Sequence, residues 1–486
     1  MASPDGKRLI VFVHGWSVRS TDTYGRLPDR LAREAGDKVD VKHVWLSRYV
    51  SFKDEVRVED LSLAFREALR REIGGEIAKG RRFAAITHST GGPVVRDWWR
   101  RFHGPKSGVV CPMSHLVMLA PANFGSALAQ LGKGTVGRLK SWFEGVEPGT
   151  GVLDWLELGS PESWALNAAW IESATTVSDD PPVFPFVLAG QTIDRKLYDH
   201  VNSYTGEAGS DGVVRVAAAN LNAAHVRLVQ KGDTLEVAEF HESPRVAMAV
   251  LPGRSHSGDD KGIIRSVRKT GAHVTLRAVL KCLAIETVDG YAALCDEFDE
   301  GTKKVQEKER VEKVDRILLP DSYYVTDRYC QVIVRLSDER AYALGDFDFL
   351  LTAGKKSSPD KLPQGFFVDR QRNRRHKGTL AYYLNHDVLA RTPAVRRDGK
   401  LLRDPSPGAD RLGFRVEPRP EKGFVHYAPA EYSASKEALE RFLRPNATLL
   451  LDIVMSRIVR EGAFTLTRDR KPHDFTDVPP SGQIGG

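Results

Sequence analysis

Between residues 8 and 251 short apolar runs alternate with longer amphipathic segments, and this alternation narrows the fold more than any other feature of the chain. The runs are 8–13 (RLIVFV), 39–46, 82–88 (RFAAITH), 114–120 (SHLVMLA), 183–189 (VFPFVLA) and 245–251 (RVAMAVL). Near-continuous apolar strands of this kind are buried on both faces, which is the habit of parallel sheets. Between them, 24–35, 58–79 and 91–101 carry helical spacing; in 58–79 the apolar positions are Leu61, Leu63, Phe65, Leu69, Ile73 and Ile77. Strand and helix in turn predict an α/β domain with a parallel sheet covered by helices on both faces. No stretch approaches the roughly 20 apolar residues of a membrane-spanning helix. With 41% hydrophobic and 28% charged residues, a mainly disordered chain and a multi-pass membrane protein are excluded.

Two stretches interrupt the pattern. Residues 124–182 are rich in Gly and Trp, and 225–240 reads as a hairpin turning at Lys231-Gly232-Asp233. After residue 300 the character changes. A charged run, 301–315, reads as a linker or an exposed helix. Short β-like segments follow at 331–336, 346–351, 365–369, 379–384, 411–416 and 447–455, separated by Gly, Pro, Asp and Asn turns. They predict a mainly-β, sandwich-like C-terminal domain. The expected division is an α/β domain over 1–300 with an insertion at 124–182, a linker at 301–320, a β-rich domain at 321–473 and a flexible tail at 474–486. All 8 Trp lie at or before Trp170, so the two parts differ in kind.

The third apolar run leads into Thr87-His88-Ser89-Thr90-Gly91-Gly92 and then a helix. A sharp strand-to-helix turn exposes a hydroxyl above a parallel sheet, and small neighbours let the backbone bend there. Alone, Ser-Thr-Gly-Gly is equally an ordinary helix cap. The first run ends in a second motif, His14-Gly15-Trp16-Ser17. Together the two resemble the α/β-hydrolase superfamily and its lipase-like members, with Thr87-x-Ser89-x-Gly91 standing for the usual G-x-S-x-G. The resemblance implies Ser89 as nucleophile and the amides of Trp16 and Thr90 as the oxyanion hole. Such donors are worth roughly 3–4 kcal/mol at the transition state. With the first motif this early, the chain is similar to compact lipases that lack the first strands of the full sheet.

The resemblance also implies the order Ser, acid, His. After the fifth run, Asp211-Gly212-Val213-Val214 is similar to the acid loop of bacterial lipases and assigns the acid to Asp211, with Asp194 and Asp199 as fallbacks. Asp211-Gly212 is otherwise a plain turn. The base belongs in the loop after the last strand, where His256 stands; His225 and His241 precede that strand, and His273 falls in the following helix. Asp259 and Asp260 resemble acidic residues near the catalytic His of calcium-stabilised lipases. Two adjacent carboxylates are a weak metal signal and read first as a helix cap. No cofactor and no metal are therefore expected, with calcium the weak alternative.

The insertion at 124–182 occupies the usual place of a lid in this superfamily, and Trp142, Phe143 and Trp155 are its candidate acyl-chain contacts. The β-rich region resembles sandwich modules appended to lipases and phospholipases. Its basic cluster at 370–377 offers Arg372, Arg374 and Arg375 to anionic headgroups, at about 1 kcal/mol per charge near a membrane surface. The net charge of +7 agrees with a peripheral membrane surface, and aromatic residues are not interleaved with the cluster as nucleic-acid stacking would require. The expected activity is hydrolysis of lipid acyl esters, as a lipase or phospholipase. Alternatives are an acyltransferase or thioesterase with the same triad, or an idle hydrolase fold serving as a binding module. Four cysteines are too few for a disulfide framework. The N-terminal residues lack a signal-peptide layout. These features predict cytoplasmic synthesis and export by a signal-independent route, a layout that resembles bacterial phospholipase effectors delivered into rival cells.

Overall fold

A computed structural model describes residues 7–14, 24–46, 55–131, 150–172, 180–193, 207–314, 321–422 and 424–459. The N-terminal strands are β1 (Arg8–His14), β2 (Val39–Trp45), β3 (Phe83–His88), β4 (Met113–Leu119), β5 (Phe184–Ala189), β6 (Ala224–Lys231), β7 (Thr234–Glu242) and β8 (Ala247–Val250). Six of them form one parallel sheet in the order β2-β1-β3-β4-β5-β8. These are the six apolar runs, in the α/β-hydrolase arrangement.

Alternate residues of β1 enter two different cores, as the period of two demands. Leu9, Val11 and Val13 pack with Leu61, Phe65 and Trp98, from the helices Val58–Glu72 and Gly91–His103. Ile10 and Phe12 pack with Leu27, Leu31, Leu276 and Val279 on the opposite face. That face is covered by the helices Leu27–Ala35, Val274–Leu283 and Val288–Lys308. Full burial of such side chains stabilises by roughly 1.5–3 kcal/mol each. The amphipathic stretch 58–79 is two helices rather than one, because Gly74-Gly75 lets the chain turn at Ile73 before a short helix, Gly74–Ala78. The charged run begins as the end of the long helix Val288–Lys308, where buried Thr302 accepts a 3.0 Å bond from the amide of Val250. Charge alone hid this anchor.

Beyond a hairpin of β9 (Val311–Val314) and β10 (Ser322–Val325) lie β11 (Tyr329–Asp338), β12 (Phe347–Ala353), β13 (Phe367–Arg372) and β14 (Thr379–Asn385). A second small hairpin pairs β15 (Val395–Arg397) with β16 (Lys400–Arg403). Then come β17 (Arg411–Pro418), β18 (Val425–His426), β19 (Ala430–Ser435), β20 (Thr448–Met455) and β21 (Ile458–Val459). The β-rich region is mainly a nine-stranded mixed sheet in the order β12-β17-β19-β7-β6-β20-β11-β14-β13. The sheet curls into a half-barrel. Phe349 of β12 meets Tyr382 of β14 at 5.5 Å between ring centroids, and Arg372 of β13 donates to the carbonyls of Gly345 and Phe347. The facing layers of a sandwich thus come from one sheet folded toward itself.

The hairpin β6–β7 sits in the middle of this second sheet, β6 running parallel to β20. It leaves the first domain's chain between β5 and β8, so the two units are interlocked. The insertion helices Thr150–Leu156 and Pro161–Glu172 join them further. Trp164 packs edge-on to His225 of β6 and lies under the Arg335 guanidinium of β11.

Buried His115 of β4 bears on acid stability. Burial pushes its imidazole down to about 3; the Arg8 guanidinium helps, and its bond to the Ile285 carbonyl opposes. Below the unfolded value of about 6.5, only the unfolded chain takes up this proton. Its contribution is therefore present above pH 6.5 and is lost progressively as pH falls toward 3. His115→Gln should flatten the loss: denaturant melts at pH 6.5 and 4.5 should differ by about 2 kcal/mol less than in the parent protein. Equal losses would show that the imidazole titrates normally.

Candidate active site

The site is built where β3 meets the helix Gly91–His103. Ser89, between them, has φ +52, in the left-handed region that non-glycine residues rarely occupy. Such a conformation costs of order 1–3 kcal/mol and persists only where neighbours hold it. Here the Ser89 amide donates to the Leu119 carbonyl at 3.0 Å, and the Ser89 carbonyl accepts from Gly92 at 3.3 Å and Ala122 at 3.4 Å. Sterics explain the two glycines. A Cβ on residue 92 would sit 3.0 Å from Pro121 Cβ, and one on residue 91 would sit 3.3 Å from Thr87 Cβ. Thr87 therefore fits in place of the customary glycine because residue 91 yields the space. Thr90 is the N-cap residue, so the start of a 13-residue helix points its unpaired amides toward the turn.

Three side chains from distant parts of the chain converge there. Ser89 Oγ lies 3.1 Å from His256 Nε2, and His256 Nδ1 lies 3.0 Å from Asp211 Oδ2. Asp211 and His256 are each 1% exposed. The other carboxylate oxygen, Oδ1, accepts from the amides of Val213 at 3.0 Å and Val214 at 2.8 Å. The His256 amide donates to the Asp211 carbonyl at 2.9 Å, so backbone as well as side chain joins the two loops. With Nδ1–H committed to the carboxylate, Nε2 is left to accept the serine proton.

Sequence reasoning missed the surroundings of the acid loop. Arg215, 2% exposed on its side chain, donates to both oxygens of Glu207 at 2.7 and 2.9 Å and to Asp369 Oδ2 at 2.6 Å. Its guanidinium lies 4.2 Å over the Tyr383 ring. Burial pulls this group down, but Glu207 and Asp369 outweigh burial and hold it above the ordinary arginine value. No local pattern links Arg215 to Asp369, which lie 154 residues apart. His88 was also passed over. It packs 4.8 Å from the His256 ring, and its Nε2 donates to the His256 carbonyl at 3.3 Å. Burial, then the neighbouring His256, push His88 well below its ordinary value, so it is a neutral prop beside the base.

The other predicted residues fall elsewhere. Trp16, Trp142, Phe143, Asp194 and Asp199 lie outside the described residues. His14, just before Trp16, stacks on Trp45 at 3.6 Å, and burial, with His43 beside it, pushes it down to about 3. Trp155 is in the core, 3% exposed. His225 meets Glu172 from β6, exposed His241 lies on β7, and His273 caps the helix Val274–Leu283; each is on a different element from the Ser89 turn. Of the basic cluster, Arg372 spends its guanidinium on the carbonyls of Gly345, Phe347 and Lys377. Arg375 pairs with Asp154, and exposed Arg374 uses its amide to bind Glu157. Asp259 and Asp260 pair with Arg265 and Arg268 and precede a series of turns, not a helix. Among the described residues no cluster of His, Cys, Asp and Glu could hold a metal ion.

No protein-family model and no curated protein matches the chain. Solved structures do, two of them at more than 40% identity over nearly the whole chain. The chain is similar to the phospholipase PlaB from Legionella pneumophila, at 42% identity over 99% of both chains with a TM-score of 0.83. It is equally similar to PlaB in complex with thio-NAD, at 41% identity, a TM-score of 0.84 and coverage of 98% of this chain and 99% of that one. The second structure corrects the expectation of no cofactor, or weakly of calcium: a relative matched over its whole length holds a dinucleotide.

Proposed function

Since this chain belongs to the family of the phospholipase PlaB, we propose that Ser89, His256 and Asp211 cleave phospholipid acyl esters through an acyl-enzyme. The overall activity is that of a serine hydrolase acting on lipid esters. The observation that carries the residue roles is the unbroken relay from Ser89 Oγ to His256 Nε2 and from His256 Nδ1 to Asp211 Oδ2.

The chemistry follows from the geometry. Ser89 Oγ attacks the ester carbonyl carbon while its proton passes to His256 Nε2. The imidazolium that forms is stabilised by the carboxylate at Nδ1. The carbonyl oxygen, now negative, faces the Thr90 end of the helix. Collapse expels the alcohol, which takes the proton from Nε2. Water then repeats the sequence, forming the free fatty acid and restoring Ser89.

A dinucleotide is proposed as a further ligand, because the PlaB relative is solved with thio-NAD. Ester hydrolysis changes no oxidation state, so the ligand would bind without being consumed. A cleft at one end of the half-barrel suits its phosphates: Lys355, Lys356, Lys361, Arg411 and Lys436 line it, against Asp410 and Glu437. The chain's residues would supply charge and hydrogen bonds there.

The test is fatty-acid release from phosphatidylglycerol and phosphatidylcholine vesicles, with and without NAD, beside acetyl and butyryl esters. Release from phospholipid is expected, together with a rise in melting temperature on adding NAD that Arg411→Glu reduces. Activity confined to the short esters would overturn the substrate. An unchanged melting temperature would overturn the ligand.

A further inference from the structure

We infer that Arg215 and Asp369 are positioning residues through which the nine-stranded sheet sets the triad acid. The inference rests on the reading of Asp211 as that acid.

The carboxylate of Asp211 is aimed by its own turn, since the Val213 and Val214 amides both bind Oδ1. The turn is closed at its base, where Ser210 bridges Arg215 and the Val216 amide donates to the Gly209 carbonyl at 2.9 Å. Such a closed turn has a shape of its own; the His256 amide holds it on the Asp211 side, and the Arg215 side still needs an external frame. Glu207 cannot be that frame, because it belongs to the same loop.

The frame comes from three strands of the other unit. Asp369 of β13 accepts from Arg215, and Gln331 of β11 lies 3.4 Å from the same guanidinium. Tyr383 of β14 lies under that guanidinium, and its hydroxyl donates to the Ala208 carbonyl at 2.9 Å. Tyr383 stacks on Tyr329 at 4.8 Å, and the two rings leave no room at residue 209. A Cβ at Gly209, where φ is +75, would lie 2.4 Å from both Tyr329 Cδ2 and the Tyr383 hydroxyl. The loop thus lies directly on the aromatic floor of the sheet, tied there by one buried cation with carboxylates on both sides.

A buried arginine that loses one of two carboxylates must find another partner or shift. Asp369→Asn keeps the side chain's size but removes its charge, and the loop should relax. A misplacement of 1 Å in a catalytic group can cost roughly a hundredfold. For this smaller change the expected loss in kcat is about tenfold with KM unchanged.

A double-mutant cycle separates positioning from general damage. Asp369→Asn is made in the full chain with Asp211 intact and with Asp211→Asn, and the rate of fluorophosphonate labelling of Ser89 is read alongside turnover. The expected result is a loss of about tenfold in the first background and none in the second. The same loss in both backgrounds, or no loss in either, would overturn the inference. Full activity of Asp211→Asn alone would instead overturn the acid assignment on which it rests. Should Asp369→Asn not fold, Tyr383→Phe removes only the hydroxyl bond to Ala208 and enters the same cycle, with a smaller loss confined to the Asp211 background.

Discussion

Replacing Ser89 by Ala should lower turnover by about 10⁶-fold, to the level left by binding and oxyanion stabilisation alone. The same change should abolish covalent labelling by a fluorophosphonate, because no other hydroxyl in the described site is paired with an imidazole nitrogen as Ser89 Oγ is with His256 Nε2. The protein should fold as before. Alanine is smaller than serine, and the turn is held by backbone bonds to Leu119, Gly92 and Ala122 that alanine retains. The strained φ of +52 stays with the backbone, so any change in melting temperature should be small. Labelling of Ser89→Ala at the parental rate would place the nucleophile elsewhere.

The second large effect belongs to the acid. Asp211→Asn should reduce kcat by about 10⁴-fold with little change in KM. The amide that replaces the carboxylate offers a donor where an acceptor is needed. It reverses the preferred tautomer of His256, leaving a proton on Nε2 where the serine proton should go. Geometry should survive, since asparagine matches the shape of aspartate and its oxygen can still accept from Val213 and Val214. The loss should therefore appear in single-turnover acylation and not in substrate binding. Turnover within tenfold of the parent would redirect the acid's role to another carboxylate.

The two variants probe parts of the site that differ in how they were written into the chain. Ser89 is legible because strand, turn and helix are contiguous, and small residues at 91 and 92 are required by local sterics. Thr87 stands in place of the customary glycine, and Gly91, which has no Cβ, leaves it room. Asp211 and His256 were assigned by the chain order that the family resemblance implies, together with the place of their loops after strands of a parallel sheet. The basic cluster near Arg374 is of a different kind. Charge along a sequence does not reveal whether a guanidinium faces water or a carbonyl, and Arg372 closes the half-barrel instead.

The sequence by itself determined the six parallel strands and the strand-turn-helix at Ser89, because each depends on periodicities and turns that act over a few residues; the order Ser, acid, His came from the family resemblance. Tertiary structure decided what stands behind them. It placed the hairpin β6–β7 in the other unit's sheet, since an exposed hairpin edge gains its hydrogen bonds from whichever strands the fold brings alongside. It also set the acid loop on Tyr329, Tyr383 and Asp369. Those contacts join residues more than a hundred positions apart through one buried guanidinium, whose charge must be met wherever the chain happens to lay a carboxylate beside it.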